Sequence, residues 1–199
     1  MFKTKSYLNS FIILCAVFLT VSCASDTQSV WQKPEMTFSY INDPVMLDIA
    51  QSYVSSKASS DIYTDENGMV RYPLLKNEEN VLARLVNNRV RPTGGANVLS
   101  LTIERSDVIE KPIEPEDGLE AMFTIQNSQV LDAYLTVFVE LLDPNNRPLQ
   151  AHRVQVKRKV SIPSNASLNE KNKIVFELSE AVLKDFDQKF TEILKRHYF

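Results

Sequence analysis

The chain is poor in the residues that most often carry chemistry. Among 199 residues it has two cysteines, two histidines, four glycines and one tryptophan, and each shortage removes a class of function. Cys15 lies within an apolar N-terminal run and Cys23 closes it, so no later thiol remains for a disulfide or a thiolate metal site. Four glycines build no phosphate-cradling loop, and the patterns G-x-S-x-G, S-x-x-K and H-E-x-x-H are absent. His152 and His197 have no ligating partner at a known spacing and read as surface histidines. No catalytic residue, cofactor or metal site is assigned, and the expected protein is not an enzyme. Basic residues are also outnumbered, 22 against 25 acidic, for a formal charge of −3. That balance disfavours nucleic acid and anionic lipid surfaces as general partners.

What is present begins with an address. Lys3 and Lys5 precede the apolar run Phe11 to Leu19, which is too short to span a bilayer and has the layout of a secretion signal. The run continues Thr20-Val21-Ser22-Cys23, and small residues before a cysteine resemble the bacterial lipobox, where the thiol is joined to diacylglycerol and becomes the new N-terminus. The usual leucine three places before the cysteine is replaced by Thr20, with Leu19 one place further back. An ordinary signal-peptidase cut after Ala24 is the alternative, and it would discard the thiol. Residues 1–22 are thus read as a signal peptide, 23–44 as the lipid attachment site and a polar tether, and 45–199 as one domain. Within the tether, Trp31 suits either the lipid headgroup level or packing against the domain edge. Removal of the signal takes Lys3 and Lys5 with it and moves the formal charge to −5 over 177 residues. This length can bury one continuous core, and a 44% hydrophobic share argues against disorder.

Alternation of Val45, Leu47, Ile49, Gln51 and Tyr53 predicts a first strand over Val45 to Val54. Residues Ser55 to Arg71 have no period and predict a long loop. Asn77, followed by Glu78 and Glu79, is placed to cap a helix whose apolar stripe is Val81, Leu82, Leu85, Val86 and Val90. Leu99, Leu101 and Ile103 mark a second strand within Asn97 to Ile109, and a short one is expected around Met122 to Ile125. The acidic run Glu114, Glu116, Asp117 and Glu120 between them lacks the spacing of a calcium loop and reads as solvated.

The strongest hairpin signal joins Leu135, Val137, Val139 and Leu141 through Asp143 to Pro148 into Leu149 to Ile162. On the return strand Val154, Val156, Val160 and Ile162 share a face with Arg158, and Arg153, Gln155, Lys157 and Lys159 take the other. Ser167 and Glu170 form a capping box. The helix it opens, about 28 residues and about 42 Å long, carries a stripe from Ile174 to Leu194, with Asp187 among the charges expected off it. The fold class is therefore α+β: an antiparallel sheet of about four strands, two helices on one face, and a long C-terminal helix.

Segments Val98 to Ile109, Tyr134 to Asp143, Ile162 to Glu170 and Leu178 to Asp187 resemble small uncharacterised lipoproteins of alphaproteobacterial envelopes. More loosely, at the level of fold, the chain is similar to transport-auxiliary lipoproteins and to the lipoprotein that plugs the lipopolysaccharide translocon. The resemblance implies a non-enzymatic envelope lipoprotein facing the periplasm, on the outer membrane given Ala24 rather than Asp after Cys23. It would be an accessory or interaction subunit, bound to the membrane through acylated Cys23 and to an envelope protein partner. Arg153, Lys157, Arg158 and Lys159 are the candidate interaction residues. The alternative is a periplasmic carrier of a small ligand or lipid.

Overall fold

The computed structural model describes residues 31–113 and 127–198. Cys15, Cys23, the acidic residues Glu114 to Glu120 and the strand expected at Met122 to Ile125 lie outside the described residues. In chain order the elements are β1 (Val45–Ser56), β2 (Tyr63–Thr64), β3 (Val70–Pro73), α1 (Glu78–Arg89), β4 (Val90–Pro112), β5 (Asn127–Leu142), β6 (Pro148–Pro163) and α2 (Leu168–His197). The described residues are α+β, with two helices and a sheet of six strands rather than about four.

The sheet is organised on β4, which extends over 23 residues. One edge of β4 pairs antiparallel with β5, and β5 pairs antiparallel with β6. The other edge is divided. Its N-terminal part, from Val90 to Ile103, pairs parallel with β1, and its C-terminal part, from Asp107 to Glu110, pairs antiparallel with β3. A purely antiparallel sheet was expected, and the β1–β4 pair corrects this. Parallel neighbours need a crossover, and α1, lying between β1 and β4 in the chain, lies within it. The expected loop over Ser55 to Arg71 likewise contains the small β2–β3 hairpin. Its turn is held by Asp65, whose carboxylate accepts from the amides of Asn67 and Met69 at 2.9 Å each.

The face of β1 switches partway along. Val45, Leu47 and Ile49 are buried, but register shifts on either side of Ile49 turn Gln51 and Tyr53 outward. An irregularity of this kind adds a residue and reverses the alternation that follows. Opposite it, a side chain at Gly95 would place its Cβ 2.4 Å from the Asp48 carbonyl oxygen, so only glycine fits there.

Apolar side chains of both helices join one core with Leu99, Leu101, Ile103, Leu131, Leu135 and Val137 of the inner sheet rows. On α1 the expected stripe is buried, including Val90 just past the helix end. Asn77 corrects the predicted cap: it has a left-handed backbone and no side-chain cap bond. The capping box of α2 is present, with the Glu170 carboxylate accepting from the Ser167 amide at 2.7 Å. Phe186 and Phe190 stack at 5.5 Å within the core.

Two departures concern the chain outside these stripes. Met36 and Phe38, assigned to the tether, belong to the core, so the packed unit starts at Trp31 rather than at residue 45. Apolar residues this close to a core edge gain more by burial than by trailing in water. Asp187, expected off the helix stripe, is 3% exposed. Arg89, the last residue of α1, donates to both its oxygens at 2.7 and 2.5 Å and also to the Asp43 carbonyl at 2.7 Å. A buried bidentate pair of this geometry ties α1, α2 and the entry to β1 together.

Removing one side of such a pair leaves a buried charge uncompensated, which costs about 3–5 kcal/mol. Asp187→Ala should therefore lower the urea midpoint by a corresponding amount. Glu104→Ala, which removes an exposed pair with Arg153, should change stability by less than about 1 kcal/mol. Equal effects of the two substitutions in the same denaturation series would refute the structural role assigned to Asp187.

Candidate functional site

Two features stand out on the folded surface, a cleft at one end of the helices and the solvent face of the sheet. The cleft forms where β1 and β3 part company along β4. Backbone bonding to β4 is handed from one strand to the other, with the Lys57 amide donating to Ile103 at 2.8 Å and the Leu74 amide to Ser106 at 3.1 Å. After Ser56 the chain swings away toward Ile62, and after Pro73 it turns through Leu74 to Asn77 into α1. The two departures enclose about 790 Å³, closed further by Lys33 and by Val175 of α2.

Leu74 and Leu75, each 3% exposed, contribute apolar wall. The first turn of α1 holds the opposite lip in place. The Glu79 carboxylate accepts from the Ser56 amide at 2.7 Å, and the Glu78 carboxylate accepts from the Ser56 hydroxyl. That hydroxyl oxygen accepts in turn from the Ala58 amide at 3.1 Å. Ile62, 72% exposed, stands on the rim. The start of the packed chain lies on α2 beside the cleft: Trp31 meets Phe176 edge-on at 5.8 Å, and the Lys33 ammonium lies 5.8 Å from the same ring. Of the two roles open to Trp31, packing against the domain edge is the one the structure contains.

The outer sheet face is polar but built around two aromatic rings. Tyr134 of β5 lies under the Arg105 guanidinium at 3.7 Å and the Lys157 ammonium at 5.1 Å. Phe138, four residues along on the same face, lies 5.5 Å from the Arg153 guanidinium. Cations over rings in this range are attracted by the negative ring face. Arg153 also donates to Glu104 at 2.7 and 2.9 Å, and this hydrogen bonding holds the Glu104 carboxyl below its ordinary range. Asp107 accepts from Arg105 at 2.5 Å and faces Arg71 at 3.2 Å. Asp132 accepts from Lys111 at 2.7 Å through one oxygen, and its other oxygen has no hydrogen-bond partner among the described residues.

The four basic residues singled out in the sequence divide. Arg153, Lys157 and Lys159 sit at alternate positions on the outer face, opposite Phe138, Tyr134 and Asp132 of β5. Arg158 points to the helix side, where it donates to both oxygens of Asp185 on α2 at 2.5 and 2.7 Å. It is a strap between sheet and helix, not part of the open face. Arg105, Tyr134 and Phe138 were missed. For Tyr134 and Phe138 the signal was the second half of the alternation in β5, where aromatic residues occupy the polar row; Arg105 is on β4. Leu74 and Leu75 fall between the expected loop, which ends at Arg71, and the expected helix start at Asn77, and carry no periodic signal of a cleft.

His152 is half-buried and His197 is exposed. Their rings lie 4.4 Å apart, and Tyr198 lies 5.8 Å from His152, its hydroxyl buried with no hydrogen-bond partner among the described residues. Burial first, and Glu140 second, push the Tyr198 phenol up to about 12. Among the described residues no three His, Cys, Asp or Glu side chains converge as a metal site. Nor, among them, is any helix long and apolar enough to cross a membrane.

No family model matches the chain, and no curated protein matches it. Among solved structures the chain has partial similarity to several proteins. Rare lipoprotein B from Shewanella oneidensis is 15% identical at a TM-score of 0.39, covering 73% of this chain and 94% of that one. Uncharacterized lipoprotein B from Nitrosomonas europaea is 14% identical at 0.41, covering 77% and 92%. A putative lipoprotein from Caulobacter crescentus is 14% identical at 0.36, covering 71% and 86%. All three are bacterial lipoproteins.

Burial, with a smaller contribution from His197, lowers the His152 pKa below its ordinary 6.5. The folded state then binds fewer protons than the unfolded one near that pH, so this contribution to stability is full above 6.5 and is lost as pH falls through the folded value. Wild-type protein should thus lose more stability than His152→Gln when pH is lowered from about 7.5 to about 5.5. Parallel urea-midpoint curves for the two proteins over that range would remove the assignment.

Proposed function

We propose that the protein is a non-enzymatic lipoprotein of the bacterial cell envelope, held through acylated Cys23 and facing the periplasm, with the outer membrane as its site. In this reading it is an accessory or interaction subunit of an envelope assembly or lipid-transport system. The partner is an envelope protein with an acidic patch, met by the outer sheet face. The observation that carries the docking reading is the open pair Tyr134 and Phe138 beneath Arg105, Lys157 and Arg153. Such a face offers amphipathic rings and charge-assisted donors at once, the residue types enriched where proteins bind each other. Lys157 and Lys159 have no ion pair among the described residues, so they are the cations available to a carboxylate from outside. The anchor rests on the sequence around Cys23, and the packed unit starts eight residues later at Trp31.

A second reading, a carrier of a small ligand or lipid, is supported by the cleft of about 790 Å³. Its volume falls in the range of about 300–1,000 Å³ common for small-molecule sites.

For the anchor, Cys23→Ser should move the protein from the membrane fraction to the soluble periplasmic fraction, and unchanged partition would refute lipidation. For the docking face, photo-crosslinkers placed at Lys157 and Lys159 in cells should trap one envelope protein. That product should vanish in Lys157→Glu/Lys159→Glu without loss of folded protein. Equal crosslinking to that protein from Glu180, on the helix side, would show that the sheet face is not the docking surface.

A further inference from the structure

The cleft between β1, β3 and the helices has a chemical character that narrows its ligand. Its deep wall is apolar, with Leu74, Leu75 and Val175 among the side chains that close it, and its lip carries an isoleucine left largely in water. Exposure of Ile62 costs free energy that an apolar occupant would recover by taking its side chain out of water. The charges at the mouth are not equivalent. Glu78 and Glu79 are engaged with the Ser56 hydroxyl and amide. Lys33 and Lys76 also line the cleft and have no ion pair among the described residues, the Lys33 ammonium lying 5.8 Å from the Phe176 ring. An anionic head between the two lysines, attached to an apolar tail along the leucine wall, satisfies both halves of the cleft.

Chain length says where such a ligand would come from. Seven residues lie between Cys23 and Trp31, and Trp31 packs on Phe176, next to the cleft residue Val175. Fully extended, the eight steps from Cys23 to Trp31 reach about 28 Å at most. An anchored protein thus keeps the cleft in the neighbourhood of the bilayer.

We infer that this cleft binds the acyl chain of an anionic single-chain lipid taken from the adjoining membrane, with Lys33 and Lys76 holding its head. The inference rests on the carrier reading and gives it a site and a ligand class. It does not require the docking face.

A dansyl-labelled undecanoic acid, titrated into the full chain carrying Cys23→Ser, tests it without any anchor present. Saturable, blue-shifted fluorescence displaced by oleate is expected. Ile62→Glu and Val175→Glu should each weaken binding about tenfold, because a carboxylate in an apolar wall must be desolvated to admit the chain. Ile62 is exposed, so its variant keeps its thermal midpoint. Lys33→Ser with Lys76→Ser should weaken the acid probe and leave the matching uncharged alcohol unaffected. The lipidated protein in phosphatidylcholine nanodiscs should bind the acid probe with the same affinity.

Absence of saturable binding, or full binding by both glutamate variants, would overturn the site. Equal weakening of acid and alcohol by the lysine substitutions would overturn the anionic head. Binding by Cys23→Ser but not by the lipidated protein would place the protein's own anchor in the cleft and overturn a ligand drawn from the membrane. Failure of the anchor reading is seen separately, in the fractionation of wild-type protein, and leaves the Cys23→Ser titration interpretable.

Discussion

Strand β4 must satisfy two different neighbours along a single edge, and most of the molecule follows from that constraint. A parallel partner bonds β4 in one slanted pattern and an antiparallel partner in another, so β1 and β3 cannot form one continuous strip. The changeover falls between Ile103, which accepts from the Lys57 amide, and Ser106, which accepts from the Leu74 amide. On the opposite edge the register with β5 shifts at the same place, between Ile103 and Arg105. An extra residue there brings Arg105 into the outer row that contains Tyr134 and Thr136. One irregularity in one strand therefore opens the cleft on one side and seats a guanidinium over an aromatic ring on the other.

Charge is used in three ways in this fold, and burial decides which. Arg89 and Asp187 are both mostly buried, so their attraction is little screened and neither can be lost alone. Arg158 and Asp185 make the same bidentate contact while about half and a quarter exposed, which leaves a strap with modest energy and good directionality. Arg153 and Glu104, more exposed still, contribute little to folding. Their effect is to hold the Arg153 side chain down on the sheet beside Phe138. The outer face is thus ordered before any partner arrives, which lowers the entropy cost of binding there.

Periodicity made the hairpin, the capping box and both helix stripes readable, because each depends on spacing within one segment. Pairing between distant segments was not readable in that way. The order strand, helix, strand from β1 to β4 was itself a crossover signal, yet it competed with the antiparallel pattern of everything after β4. Asp187 illustrates a second limit. Its position among charged residues suggested water, and only the meeting of two helices showed that Arg89 waits for it. Met36 and Phe38 show a third, since two isolated apolar residues in a polar stretch carry no period. Of the site, the basic rows of β6 were visible, but Arg158 belonged to the inner row by its own alternation and should have been separated from the rest on that ground. The cleft had no sequence signature, because its walls come from segments whose only common feature is leaving β4 at the same point.

The outer sheet face and the cleft are the two candidate surfaces that the described residues present. They differ in what they ask of a ligand. The outer face presents rings and cations already in contact, so it favours a partner large enough to replace several weak contacts together. The cleft presents apolar wall and free lysines that have no mutual use, so it favours a ligand small enough to join them. These demands are independent because the two surfaces lie on opposite sides of the β4 irregularity and share no lining residue.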